Sequence, residues 1–115
     1  MTAVTATLPY PPTVNHAYVR TGTGGLALAA AGRAFRERAR LEARVAFERL
    51  AGDVAVTIVA YPPDRRRRDL DNIVKGVLDS LTGAAYADDS QVARLVVVRG
   101  EGGPARVEGT VEAMA

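Results

Sequence analysis

Val4, Ala6 and Leu8 alternate with Thr5 and Thr7, the period of two expected of a half-buried strand, and Pro9 ends it. The next stretch has no period. Pro9-Tyr10-Pro11-Pro12-Thr13 cannot donate regular ladder hydrogen bonds and Thr21-Gly22-Thr23-Gly24-Gly25 adds backbone freedom, so residues 9 to about 28 read as a long loop. Its glycines match neither a dinucleotide fingerprint nor a Walker A loop. A helix follows from Ala29 or Arg33 to Leu50. Phe35, Ala39, Ala43, Ala46, Phe47 and Leu50 recur at offsets of three and four on one face, and Arg33/Glu37, Arg38/Glu42 and Arg44/Glu48 are spaced for ion pairs one turn apart.

Gly52 and Asp53 break that helix. Val54 to Ala60 is apolar at nearly every position, which suits an interior strand covered on both faces. After Tyr61-Pro62-Pro63 a second helix is expected from about Leu70 to Leu81, burying Leu70, Val74, Val77, Leu78 and Leu81 and carrying Asp71, Lys75 and Asp79 on its other side. Gln91 to Arg99 reads as a strand, Glu101-Gly102-Gly103-Pro104 as a turn, and Arg106 to Ala113 as an alternating edge strand with Val107 and Val111 inward. The order β-α-β-α-β-β predicts an α+β fold, a small mixed sheet with two packed helices.

The 115 residues fit one domain spanning 1–115. With 48% hydrophobic and 24% charged residues the chain is too balanced for wholesale disorder, collagen or coiled coil. Cysteine is absent, which removes disulfides, thiolate zinc sites and cysteine nucleophiles. No signal-peptide pattern or long apolar run is present, so a soluble cytoplasmic protein without membrane contact is expected. The net charge is only +2, but Lys75 is the single lysine among fifteen basic residues. Coding preference explains the arginine bias. The retained lysine marks a position where a planar guanidinium would not replace a compact ammonium.

The chemistry lies between residues 61 and 90. Asp64, Asp69, Asp71, Asp79, Asp88 and Asp89 accompany Arg65-Arg66-Arg67-Arg68 and Lys75 there. Composition alone fits a mutually neutralising surface as well as a site. Spacing adds more. Asp69 and Asp71 converge only if Asp69 precedes the helix and Asp71 lies in its first turn, although a plain helix cap also explains Asp69. Asp88 and Asp89 point to opposite sides of an extended chain, so one can join that pair while a turn accounts for the other. Oxygen donors without cysteine, and with His16 as the sole histidine, favour Mg²⁺ or Mn²⁺ over zinc. Lys75 would hold a scissile phosphate or orient an attacking water. Asn15 and His16 read as loop-bracing residues, Asp64 as a turn residue and Asp79 as the partner of Lys75.

Pro63-Asp64-Arg65-Arg66-Arg67-Arg68-Asp69-Leu70-Asp71-Asn72, then Lys75, Leu78-Asp79-Ser80-Leu81 and Asp88-Asp89-Ser90-Gln91-Val92 together resemble the signature of RusA-type Holliday junction resolvases. Leu8-Pro9-Tyr10-Pro11-Pro12-Thr13-Val14-Asn15 resembles that family's N-terminal motif, so the likeness runs nearly end to end. The resemblance implies a Mg²⁺-dependent, homodimeric endonuclease that binds four-way DNA junctions and nicks two opposed strands. By position in the motif, Asp69, Asp71 and Asp89 are its metal-binding acids, Lys75 its catalytic lysine and Asn72 a supporting residue, with Arg65, Arg66, Arg67 and Arg68 beside the DNA. A module of this fold that binds branched nucleic acid without cutting is the main alternative, and a phosphoryl-transfer enzyme on another substrate a weaker one.

Overall fold

The alternation at the start of the chain forms strand β1, Val4–Leu8. A computed structural model describes residues 3–12, 18–22, 26–65 and 68–114. The other elements are β2 (Tyr18–Arg20), β3 (Leu26–Leu28), helix α1 (Ala30–Ala46), β4 (Val54–Tyr61), helix α2 (Asp71–Leu81), a 3-10 turn (Asp89–Gln91), β5 (Val92–Arg99) and β6 (Arg106–Ala113). The fold is α+β, with two helices on a mixed sheet in the order β1-β6-β4-β5. β6 is antiparallel to both neighbours and β4 is parallel to β5. A parallel pair needs a long crossover, and α2 supplies it, carrying the chain from the end of β4 to the start of β5.

Both helices cover one face of the sheet. Phe35, Ala39 and Ala43 from α1 and Ile73, Val77 and Leu81 from α2 pack over Leu8, Val56, Ile58 and Val107. Two expectations about the sheet change accordingly. β4 is central, but only Val54, Val56, Ile58 and Ala60 are buried, while Ala55, Thr57, Val59 and Tyr61 on its other face are half-buried. A continuous apolar run reports a central position in the sheet, and it does not require a second covering layer. β6 lies between β1 and β4, so the edges are β1 and β5. Alternation marks a one-sided sheet equally well at its edge and in its interior.

Two local readings also shift. The stretch read as a loop contains the antiparallel hairpin β2-β3, pairing Tyr18 with Leu28 and Arg20 with Leu26; strands of three residues are too short to show a period. Thr13 to Ala17, with Asn15 and His16, and Thr23 to Gly25 lie outside the described residues. Helix α1 stops at Ala46. Phe47 is extended, its N–H still bonded to the Ala43 carbonyl at 2.9 Å, and its buried ring ends the apolar face. Of the three predicted pairs along α1, Arg38–Glu42 forms, at 3.4 Å.

The connection from β5 to β6 passes over the end of β4, where Tyr61 lies. A side chain on Gly100 would run into the Tyr61 ring, so the close approach requires glycine there. Arg106 stacks on the same ring, 3.7 Å from its centroid. It also donates to the Gly102 and Pro104 carbonyls and to Glu108, which in turn accepts from the Tyr61 hydroxyl. One arginine thus ties the turn at 101–105 to two strands. No helix among the described residues is long and apolar enough to cross a membrane.

Candidate functional site

Helix α2 begins without a side-chain cap. Leu70 occupies the cap position, the Asn72 N–H donates to the Asp69 carbonyl at 3.2 Å, and the Ile73 N–H to that of Leu70 at 3.3 Å. Asp69 therefore contributes its backbone oxygen, and its carboxylate is not the plain helix cap that its position allows. Asp71 stands in the first turn, where the helix dipole favours an anion. Both carboxylates are exposed, and among the described residues neither makes a hydrogen bond or ion pair. Asn72 beside them is exposed as well. One turn on, Lys75 Nζ donates to Asp79 Oδ2 at 2.9 Å, the expected reason for Asp79.

Asp88 and Asp89 divide their roles. Asp88 caps the 3-10 turn: its carboxylate accepts from the Ser90 N–H at 3.0 Å, and the Gln91 side-chain oxygen accepts from the N–H groups of Asp88 and Ala87. The bonds from Ser90 hold the Asp88 carboxyl below the usual carboxylate range. Asp89 is exposed and, among the described residues, engaged by no side-chain bond. Gln91 also donates to the Leu50 and Gly52 carbonyls at 3.0 and 2.8 Å, fixing the start of β5 to the segment after α1. The spacing of Asp88 and Gln91 is itself a capping signature, visible in sequence although not read there.

Tyr86 anchors the same region from within. Fully buried, it donates its hydroxyl to the Leu78 carbonyl at 3.0 Å, an oxygen that also accepts from the Thr82 hydroxyl at 2.9 Å and the Thr82 N–H at 3.0 Å. Burial pushes the Tyr86 hydroxyl up to about 12; its bond with Thr82 opposes this, and the charges of Asp89, Asp79 and Asp88 add to it. Nothing in the sequence pattern distinguishes this tyrosine from the others.

The structure therefore puts Asp69 and Asp71 at the start of α2 and Asp89 on the segment after its end. Among the described residues, no three carboxylate or imidazole side chains converge closely enough to hold a metal ion. The oxygen donors suit a hard cation in kind, but a single chain does not close the three acids on one point. Of the arginine run, Arg65 is exposed and Arg66 and Arg67 lie outside the described residues. Arg68 is largely shielded and binds the Asp64 carboxylate at 2.7 Å and carbonyl at 3.2 Å, pinning the turn before α2. That bond keeps its guanidinium more firmly protonated. Tyr10 lies next to this pair: burial raises its hydroxyl pKa, Arg68 lowers it and Asp64 raises it.

The family described as Endodeoxyribonuclease RusA matches residues 9–112. The crossover junction endodeoxyribonuclease RusA of Escherichia coli (strain K12) is 40% identical over 102 residues, covering 86% of this chain and 84% of that protein. Its counterpart in Enterobacteria phage 82 is 40% identical over 96 residues, covering 81% and 79%. The counterpart in Enterobacteria phage HK97 is 37% identical over 100 residues, with the same coverage. The matched span holds the proline segment, the arginine run, α2 with its two leading acids, and Asp89. The chain belongs to the RusA endodeoxyribonuclease family.

Proposed function

We propose that this chain is a Mg²⁺-dependent, structure-selective endonuclease that resolves four-way (Holliday) DNA junctions by paired symmetric nicks, acting as a homodimer in cytoplasmic DNA recombination and repair. The observation that carries this reading is the start of α2, where the Asp69 and Asp71 carboxylates stand exposed without an intramolecular partner among the described residues, Asp69 directly after the arginine run and Asp71 one turn before Lys75. Unpaired carboxylates repel phosphate, so they are a burden to a protein that only binds DNA and an asset to one that binds a cation beside it. Asp69, Asp71 and Asp89 are the residues that would hold Mg²⁺, or Mn²⁺ in its place. When bound, such an ion polarises a phosphodiester and acidifies a water.

The protein's own side chains do the rest. Lys75, held now by Asp79, exchanges that partner for the scissile phosphate or orients the attacking water. Asn72 supports the acids on either side of it. Arg65, Arg66 and Arg67 hold backbone phosphates through charge-assisted hydrogen bonds, and Arg68, bonded to Asp64, adds its positive charge beside the DNA while it pins the turn. Two opposed nicks need two sites, and a two-fold dimer matches the approximate symmetry of the junction. The relatives' name, crossover junction endodeoxyribonuclease, supports the same substrate.

A second reading, a catalytically inactive module that binds branched nucleic acid, is favoured by one observation: the three acids do not close on a shared point within one chain. Incubating the protein with a four-way junction, a fork and a linear duplex side by side, with and without Mg²⁺, separates the two. Mg²⁺-dependent paired cuts in the junction support the resolvase; tight junction binding with no cleavage in the presence of Mg²⁺ supports the binder.

A further inference from the structure

We propose that the groove between the proline segment and α1 receives an unstacked nucleobase from the branch point of bound DNA; this rests on the junction-binding reading above. The groove is a cavity of about 580 Å³, open on one side, with Pro9, Tyr10, Pro11 and Pro12 on one wall and Phe35 and Arg38 on the other. That size suits a nucleoside-sized ligand, since small-molecule sites run from about 300 to 1,000 Å³. Its walls are flat and stiff. Pyrrolidine rings and the Tyr10 ring offer stacking surface to any base, and every base has a π-face.

Three observations favour a base over a protein segment. First, basic residues border it: Arg38 lines the wall formed by α1, and the run from Arg65 to Arg68 begins two residues beyond Pro63 on the groove's rim. Glu42 is bonded to Arg38 and Asp64 to Arg68. Second, aromatic surface is scarce, and among the described side chains what is available faces this groove. Phe35, Phe47 and Tyr86 are buried in the core and the Tyr61 ring lies under Arg106, so of the described rings Tyr10, half-buried, is the one presented to an open cavity.

Third, the groove adjoins both segments of the candidate site. Gly76 follows Lys75, and a Cβ there would lie 3.4 Å from the Phe35 ring and 3.7 Å from Pro11, so the floor of the groove packs directly on α2. Tyr10 feels the charge of Arg68, which immediately precedes Asp69. A strand whose phosphate lies over Lys75 thus has an apolar recess within reach for a base that has left its stack. Unstacking costs least where pairing is already interrupted, as at a branch point, so the recess discriminates junction from duplex without reading sequence.

The test places 2-aminopurine in turn at each position flanking the branch point of a four-way junction and measures its fluorescence on adding protein without divalent ion. The expected result is a fluorescence change at one position that is lost in Ala34→Trp, which fills the groove from the exposed side of α1, with junction preference over duplex falling about tenfold. Ala31→Leu is the gentler filling variant should Ala34→Trp fail to fold by circular dichroism. Junction preference with no 2-aminopurine response, or a filled groove that leaves signal and preference intact, refutes the pocket and spares the proposed function. A filled variant whose mass changes in light scattering refutes it in favour of an interface between copies of the chain. Absence of any junction preference in the wild type removes both proposals.

Discussion

Replacing Tyr86 by Phe isolates one hydroxyl in the core beside the candidate site. The ring keeps its volume, so no cavity opens, and the Leu78 carbonyl keeps two donors from Thr82. Only the net value of one hydrogen bond is removed, about 1 kcal/mol, and not the larger penalty of an orphaned acceptor. For a domain of about 100 residues that corresponds to roughly 4 °C in Tm. Thr82→Val should cost a similar amount, and the double variant more than the sum, because it leaves the carbonyl with its backbone donor alone. The alkaline limb is more diagnostic. Tyr86 holds its proton to about 12 when folded, against about 10 when unfolded, a hundredfold difference in proton affinity or about 3 kcal/mol. Because the folded value is the higher one, this stability is complete below pH 10 and is lost as pH rises from 10 through 12. Urea melts of wild type and Tyr86→Phe at pH 8 and pH 11.5 should differ by about 1 kcal/mol at the lower pH and converge or cross at the higher. An identical loss between the two pH values in both proteins would refute the assignment of that titration to Tyr86.

Asp69→Asn, Asp71→Asn and Asp89→Asn should each lower Mg²⁺-dependent junction cleavage at least about a hundredfold while gel-shift affinity survives; Asp88→Asn should be mild, since asparagine also caps, and full activity in all three would end the metal-site reading. Lys75→Arg should cut turnover about tenfold or more because the guanidinium cannot reproduce a point-like ammonium, and near-normal rates would make the lone lysine an accident of composition. Neutralising Arg66 and Arg67 together should weaken binding to every DNA shape and reduce the log–log salt slope by about 0.9 for each phosphate no longer neutralised; an unchanged slope assigns the pair to solvent. Mixing active protein with excess Asp71→Asn should accumulate singly nicked junctions through exchanged dimers, whereas a strict monomer by light scattering that still makes paired symmetric cuts overturns the dimer.

The long elements were legible because each carries its period over many residues. Val4–Leu8, Asp71–Leu81 and Arg106–Ala113 lie where alternation or three-four spacing put them. What the pattern could not carry is pairing: alternation in β6 is the same whether one neighbour or two flank it, and only the folded chain shows β6 in the interior. The site divides along the same line. Asp69 before α2, Asp71 in its first turn and Lys75 against Asp79 follow from local spacing. Tyr86 reaching Leu78 and Gln91 reaching Leu50 and Gly52 depend on packing between separate segments, for which one chain offers no local signal.

The position of β5 at the sheet margin gives the candidate site two different mechanical anchors. Asp69 and Asp71 ride on a helix whose inner face is sealed against the core, whereas Asp89 is continuous with a strand that has one neighbour and exposes Leu95 and Val98. Marginal strands open locally at lower free energy than interior ones. Amide exchange in β5 should therefore outpace that in β4 and β6, yet Asp89 sits at the end of the strand that Gln91 ties to the segment after α1, so the far end of β5 can fray without moving the third acid away from the first two.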